Sequence, residues 1–318
     1  MISSSPKVSI VCAWYNRSDY IKETIESLLA QDYLNFEIVI VNDGSTDPRV
    51  REELEKFDDT RLHVHHCENV GFTRAIRTAI DSTSSEYIGI QGAGDYSYPN
   101  RISRQVGFLE KRPNFAVAGC RYVNRVKGGK GDGKATPSKH ATLTPAASDV
   151  LKGNPFSHGE VLIRRSAYEE VGGYRTIFEN SQDKDLWLRL TENWNLGVID
   201  AFLYERRFFS NDGISSNLSK SLTQVAYAHL ADYSYIEKKK RRKDPVEQYG
   251  ILAVRCMPSG LALTLKILRV VRQVSRFGRL SFKDLFLIKK FFGYFNFSTA
   301  VAFYLLNRIS RLIRNVAE

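Results

Sequence analysis

Three aspartates stand where the chain could present a carboxylate to a ligand: Asp43, Asp95 and Asp183. Asp43 lies within the stretch Phe-Glu-Ile-Val-Ile-Val-Asn-Asp-Gly-Ser-Thr-Asp, residues 36–47. Ile38 to Val41 is a β-branched run too short for a helix and reads as a strand buried on both faces. It stops at Asn42-Asp43-Gly44-Ser45, which is turn chemistry, after which Thr46 or Asp47 can cap a helix with Pro48 in its first turn. An acid at the carboxyl end of a buried parallel strand points into the crevice where open α/β sheets bind ligands. Asp43 therefore either faces a ligand or only closes the turn. Asp95 follows a second such strand, Glu86 to Gln91, through Gly92-Ala93-Gly94, and offers another acid to the same crevice. Asp183 opens a helix, Gln182 to Leu190, whose apolar side carries Leu186, Trp187 and Leu190.

The elements that must position these acids alternate. Lys7 to Ala13 is a first strand running into Trp14-Tyr15-Asn16-Arg17, and Ser18 or Asp19 caps a helix with Ile21, Ile25, Leu28 and Leu29 at helical spacing. The 36–42 strand, a helix over about 48–57, a strand over 61–67 and a helix opened by Asn69-Val70-Gly71 follow. Next come the strand 86–91, a helix begun by Pro99 and a fifth strand, 115–120. Such alternation implies an α/β fold with a mostly parallel sheet flanked by helices, connected by right-handed crossovers. Beyond it the pattern breaks into a glycine-rich loop, 127–134, expected to be mobile. A segment Asn154 to Glu160, a strand 161–163, a turn at 170–174, the Asp183 helix and a strand pair over 196–209 complete this part.

Composition bounds the rest. The 318 residues suffice for one large α/β domain and an appendage, and the formal net charge is +11. The charge is uneven: 19 Lys and Arg face 6 Asp and Glu from Ser216 to Glu318, against 27 and 29 before. The expected division is a near-neutral α/β domain over 1–215 and a basic helical extension over 216–318. Cys12, Cys67, Cys120 and Cys256 are far apart and form no Cys-x-x-Cys, which fits a reducing compartment better than a disulfide framework or a zinc site. The N-terminus does not read as a signal peptide, and no stretch of about 18 charge-free apolar residues appears. His63, His65 and His66 lack acids or cysteines at ligand spacing and read as structural.

An ordered set of motifs resembles the family 2 inverting glycosyltransferases with the Rossmann-like GT-A fold, over about residues 6–217. It comprises Val8 to Val11 with Tyr15-Asn16, Val41 to Asp47, Asn69 to Ala75, Glu86 to Asp95 and Pro99 to Arg101. It continues with Gly172-Gly173-Tyr174, Asp183 to Arg189 and Gly213-Ile214-Ser215. The resemblance implies a nucleotide-sugar donor, with Ala13, Tyr15 and Asn16 beside the nucleotide, Asp43 and Gly44 at its base or ribose, and Arg74 on the diphosphate. Arg77 reads as a surface charge. Asp183 corresponds to the family's catalytic base. His158 falls on the acceptor side, as do Arg206 and Arg207, of which either could face the site. Asp185, two residues on, reads as a partner of the helix N-terminus. The departure is at the family's Asp-x-Asp-Asp: Gly92 and Gly94 replace two acids, leaving Asp95 as the expected ligand of a divalent cation (Mg or Mn), with the argument for that cation weakened. Gln182 replaces a Glu beside the base.

In the extension, Lys266, Arg269, Arg272 and Arg276 recur every three or four residues opposite Leu263, Ile267, Val270, Val271 and Val274. This is a basic amphipathic helix suited to an anionic membrane surface. The aromatic stretch 291–297 and the segment 301–314 repeat the theme; packing against the catalytic domain is the alternative. No nucleic-acid-binding motif accompanies the charge. The reading is a cytoplasmic inverting glycosyltransferase, peripheral on the inner face of the plasma membrane, acting on a glycan or lipid-linked acceptor. Its alternative is an inactive nucleotide-sugar-binding protein at that surface. Donor, linkage and oligomeric state are left open.

Overall fold

The computed structural model describes residues 5–128, 132–140, 142–209, 218–240, 242–257 and 267. The chain divides into two compact units, Met1–Ser210 and Asn211–Glu318. In the first, β1 (Val8–Trp14) and β2 (Phe36–Asp43) are buried almost throughout. Their continuous apolar runs allow helices on both faces. β3 (Leu62–Cys67) pairs parallel with β2, and β4 (Tyr87–Ile90) pairs parallel with β1. β3 is one edge strand of the sheet, and its outward positions are filled by His63, His65 and Cys67 instead of apolar side chains.

The connecting helices are α1 (Ile21–Leu29), α2 (Arg49–Glu55), α3 (Phe72–Asp81) and α4 (Arg101–Glu110). α1 buries Ile21, Ile25 and Leu28 against Ile10, Trp14 and Ile38 in the main core. Each such side chain contributes roughly 1.5–3 kcal/mol by leaving water. α3 turns its small residues Ala75 and Ala79 inward, so it can lie close over β1 and β2.

The second half of the sheet is mixed. β5 (Tyr96–Ser97), β6 (Phe115–Lys127), β7 (Ala135–Pro137), β8 (Leu162–Arg164) and β9 (Asn195–Phe209) complete the order β3-β2-β1-β4-β8-β6-β9-β5, with β7 on β6. β8 runs antiparallel to both β4 and β6, while β6 and β9 form a long parallel pair. α5 (Ala147–Lys152), α6 (Arg165–Glu170) and α7 (Gln182–Leu190) lie between these strands.

Two expectations need correction here. β6 continues to Lys127 instead of ending at 120, and the expected strand pair over 196–209 is one strand. Asp200-Ala201 resembles a turn but is absorbed by a bulge: Cys120 faces Ile199 and Arg121 faces Phe202.

The second unit contains α8 (Leu218–Lys239) and α9 (Pro245–Tyr249), the latter capped by Asp244, whose carboxylate accepts from Val246 N at 2.8 Å. No helix among the described residues is long and apolar enough to cross a membrane. Residues 129–131 of the glycine-rich loop, the motif Gly213-Ile214-Ser215 and, Ile267 apart, the basic segments over 260–277, 291–297 and 301–314 lie outside the described residues.

α7 is fastened by a buried ion-pair cluster. Asp185 pairs with Arg175 (Nε–Oδ2 3.0 Å) and with Arg189 (Nη2–Oδ2 2.8 Å), and Arg189 also donates to the carbonyls of Val171 and Gly173. Asp185 stands in the first turn of α7, as expected, and also bridges to the Gly172-Gly173 turn through its two arginines. Asp185→Ala removes the carboxylate that both arginines share, and it is expected to cost about 3–5 kcal/mol. The measurement is the urea midpoint, and a shift within experimental error would count against this role.

Candidate functional site

The strand order reverses between β1 and β4, so a crevice opens at their carboxyl ends. Residues 13–17 border it on one side and 91–95 on the other. Ala13 is buried, and Tyr15 is 46% exposed. Asn16 and Arg17 both have left-handed backbone (φ 55° and 60°), an unfavourable conformation held here by specific hydrogen bonds. Asn16 Oδ1 accepts from Thr46 N (2.9 Å) and Asp47 N (3.1 Å), while its own N–H donates to Ser45 Oγ (2.9 Å). Asn16 therefore ties the end of β1 to the turn after β2.

Asp43 is buried, and both carboxylate oxygens accept backbone N–H groups: Val70 to Oδ1 at 2.6 Å and Gly71 to Oδ2 at 3.1 Å. It fastens the connection that starts α3. Next to it, Gly44 has φ +61°, and a Cβ there would meet Asn69 N at 2.4 Å. Only glycine fits this approach. Arg74 is exposed one turn into α3, its guanidinium 3.5 Å from the Val70 carbonyl. Arg77, half-buried, donates to the Tyr174 carbonyl at 2.8 Å, a structural use that its reading as a surface charge did not include.

Asp95 is more deeply enclosed. Tyr204 Oη donates to its Oδ2 (2.6 Å), and the Arg207 backbone N–H donates to its Oδ1 (2.7 Å). Tyr204 Oη also accepts from Gly92 N at 3.0 Å. Burial pushes the Asp95 carboxyl above its ordinary range, against the hydrogen bonds and the pull of Arg206 and Arg17. The packing leaves no room for side chains: a Cβ on Gly92 would lie 2.1 Å from Asp95 Oδ2, and one on Gly159 would lie 2.2 Å from Tyr204 Oη. Arg101, fully buried, donates to Gln91 Oε1 (2.9 Å), Ser97 Oγ (2.7 Å) and the Ile90 carbonyl (2.6 Å), holding the end of β4.

This arrangement does not fit a cation held by Asp95. Both of its oxygens are engaged by donors, and Gly92 and Gly94 supply no ligand beside it.

The third acid stands at the opposite wall. Asp183 is half-buried near the start of α7, after Ser181 with φ 59°. Asn154 Nδ2 donates to its Oδ2, and Lys184 N donates to its Oδ1 at 2.8 Å. His158, another left-handed residue (φ 83°), shares a 2.7 Å hydrogen bond with Tyr174 Oη, and its ring centroid lies 5.5 Å from that of Phe72. Burial lowers the His158 pKa, opposed by Asp183, so the imidazole is neutral at neutral pH.

The turn 157–160 connects the walls. Gly159 abuts Tyr204 and Gly92 on the Asp95 side, and His158 touches Phe72, which directly follows the Val70-Gly71 pair held by Asp43. Of the two arginines, Arg207 is buried and pairs with Glu23 and with Glu205 (3.0 Å). It lines a cavity of about 540 Å³ with Tyr96, Arg125 and Lys127. Arg206 is half-buried, with its guanidinium carbon 4.6 Å from the Phe208 ring centroid.

Sequence reasoning offered Asp43 and Asp95 to one crevice and took Asp183 and His158 from the family resemblance; it gave no role to Tyr204, Arg17, Arg101 or Asn154. Asn154 and Arg17 adjoin quoted motifs and were within reach. Tyr204 reaches Asp95 across 109 residues and left no local signal, whereas Arg101 closes the quoted Pro99 to Arg101 motif and bonds Gln91 and Ser97 nearby in the chain.

Comparison with known proteins places the chain. Residues 9–172 match the family model described as glycosyl transferase family 2. EpsE of Bacillus subtilis (strain 168), named as a glycosyltransferase, is 30% identical over 252 residues, covering 74% of this chain and 89% of its own. A glycosyltransferase of Rickettsia felis, uncharacterized by name, is 32% identical over 65% of this chain. The match spans only 35% of that longer protein. Among solved structures, TarS residues 1–349 from S. aureus in complex with UDP has a TM-score of 0.56 at 16% identity, covering 94% of this chain and 89% of its own. The mannosyltransferase PcManGT from Pyrobaculum calidifontis, in complex with GDP-Man and Mn2+, has a TM-score of 0.54 at 16% identity, covering 98% and 88%. With more than half of its length matched by the family model and EpsE related along most of both chains, the protein belongs to the family 2 glycosyltransferases, enzymes built here on the GT-A fold.

Proposed function

We propose that this glycosyltransferase moves one sugar from a nucleoside-diphosphate sugar to a hydroxyl of a glycan or lipid-linked acceptor, inverting the anomeric configuration, in the synthesis of a cell-surface polysaccharide or glycoconjugate. The observation that supports it best is the approach of all three acids to the 157–160 turn: Asp43 through Gly71 and Phe72, Asp95 through Tyr204 and Gly159, and Asp183 close enough to His158 to act on its charge. Donor complexes of the fold relatives, with UDP-GlcNAc for TarS and GDP-Man for PcManGT, support a nucleotide sugar as the donor class.

In this reading the base and sugar of the nucleotide lie along Ala13, Tyr15, Asn16, Asp43 and Gly44, with Arg74 at the rim. Asp43 acts through the Val70-Gly71 backbone that it holds. The acceptor hydroxyl approaches from the His158 and Asp183 side. Asp183 takes its proton as the acceptor oxygen bonds to the anomeric carbon and the bond to the diphosphate oxygen breaks, its electron pair leaving with the nucleoside diphosphate. A neutral His158 suits this step, because an imidazolium beside Asp183 would lower the basicity of the carboxylate.

Asp183→Asn keeps the size and loses the basicity. It is expected to lower transfer by about 10²–10⁴-fold while leaving nucleotide affinity nearly unchanged. The measurements are nucleoside-diphosphate release across a donor panel and calorimetric titration of the nucleotide. Wild-type turnover in the variant would remove Asp183 from this role.

Placement on the membrane rests on the charge of residues 216–318. Each basic residue near an anionic surface contributes about 1 kcal/mol, screened by salt, whereas apolar insertion is not screened. The full chain is expected to sediment with phosphatidylglycerol vesicles and not with phosphatidylcholine vesicles, to be partly released by salt, and to bind less after joint Arg269→Glu and Arg276→Glu substitution. Failure to bind phosphatidylglycerol at low salt would refute the membrane placement and leave the catalytic reading untouched.

A further inference from the structure

The loop 92–95 presents a chemical problem for any diphosphate donor. Two phosphates bring two or more negative charges into the crevice, and the carboxylate nearest to it is unsuited to hold a compensating cation. Asp95 points into the protein, and its two oxygens take up the Tyr204 hydroxyl and the Arg207 backbone N–H. The loop backbone is held as well. Arg207 Nη1 donates to the Gly94 carbonyl at 3.3 Å, and Thr24 Oγ1 and Gln91 Nε2 donate to the Asp95 carbonyl at 2.8 and 3.1 Å. Gly92 is part of the same device, since any Cβ there would collide with Asp95 Oδ2 in this posture. The glycine and the inward carboxylate therefore belong together.

Two cations lie near that loop, Arg206 also bonding the Tyr122 side chain. Arg17, at the end of β1, donates from Nη1 to the Ala93 carbonyl at 2.7 Å, and its guanidinium carbon lies 4.5 Å from the Phe209 ring centroid. Phe209 in turn packs against Gly94 and lies 4.5 Å, centroid to centroid, from Tyr20. Arg206 is next to the residue whose N–H holds Asp95, and the Phe208 ring supports its guanidinium. Both arginines are half-buried and lie close enough to Asp95 to favour its ionised form. A guanidinium on an aromatic face presents several N–H donors in one plane, which matches phosphate oxygens.

We propose that the guanidinium groups of Arg17 and Arg206 meet the charge of the donor's diphosphate, with Asp95 serving as the latch that holds loop 92–95 and β9 in register and not as the carboxylate of a cation site. The assignment rests on the nucleoside-diphosphate donor proposed above. When the glycosidic bond breaks, the charge developing on the leaving diphosphate is stabilised by these fixed cations.

Calorimetric titration of the full chain with UDP, GDP, CDP and dTDP, each in EDTA and again in millimolar Mn2+, separates the possibilities. The expected result is that at least one nucleotide binds with the same affinity in both media. Arg17→Ala and Arg206→Ala should each weaken it by about tenfold, the loss of one charge-assisted contact. Asp95→Asn should lower the thermal midpoint without creating or removing any response to Mn2+. Binding that Mn2+ strengthens tenfold or more in the wild type would overturn the proposal even if Asp95→Asn fails to fold. Loss of that strengthening in a folded Asp95→Asn would identify the aspartate as a cation ligand. Metal-independent binding that neither arginine substitution weakens would overturn the assignment of the two guanidiniums. No binding of any of the four nucleotides in either medium would overturn the proposal by removing its premise, the donor class itself, a failure distinct from the other two.

Discussion

A carboxylate shut away from water must be satisfied inside the protein, and at Asp95 this requirement draws four segments together. β9 supplies the Tyr204 hydroxyl and the Arg207 N–H, the end of β4 supplies Gly92, the 157–160 turn approaches through Gly159, and α1 reaches the same loop through Thr24. A buried carboxylate left without partners costs several kcal/mol, so each of these approaches is enforced by the others. The crevice inherits its geometry from this: the β1 end, loop 92–95 and the His158 turn cannot shift independently. Arg101, a fully buried cation 5.0 Å from the centroid of the Tyr204 ring, binds the Ile90 carbonyl at the end of β4.

Asp43 shows the same logic on a smaller scale. It stands at the end of a strand, as its sequence context implied, and both of its oxygens are spent on backbone N–H groups. They organise the backbone of Val70 and Gly71, which starts α3 and brings Phe72 to His158. A short acidic side chain at the crevice floor thereby sets the position of a residue on the far wall, close to Asp183.

The parallel half of the fold was legible because its strands are buried on both faces and must be continuous β-branched runs, as in Ile38 to Val41, bounded by turn residues and amphipathic helices. The second half was not. β5 is two residues long, and β9 carries Asp200-Ala201 at a bulge where local chemistry suggests a turn. In both cases long-range pairing overrides local preference. The acids of the site were legible for a related reason: strand ends and helix starts leave sequence marks. The partners of those acids did not, because Tyr204 is brought to Asp95 across 109 residues by sheet order alone. The posture of Asp95 was also out of reach, since the substitution of Gly92 for an acid says that a ligand is missing and not where the remaining carboxylate turns.

The close fit of Gly92, Asp95, Gly159 and Tyr204 has a consequence for how this loop can change over evolutionary or laboratory time. Contacts of this kind make substitutions non-additive, because each side chain occupies space that another would need. An aspartate introduced at position 92 alone would meet Asp95 before it could meet any ligand. It becomes tolerable only if Asp95 rotates outward, which in turn strips Tyr204 of its acceptor and the Arg207 N–H of its partner. The route between this loop and an acid-rich one therefore passes through poorly packed single variants. Neighbouring forms of the enzyme should differ at these four positions as a set, with one-at-a-time changes rare.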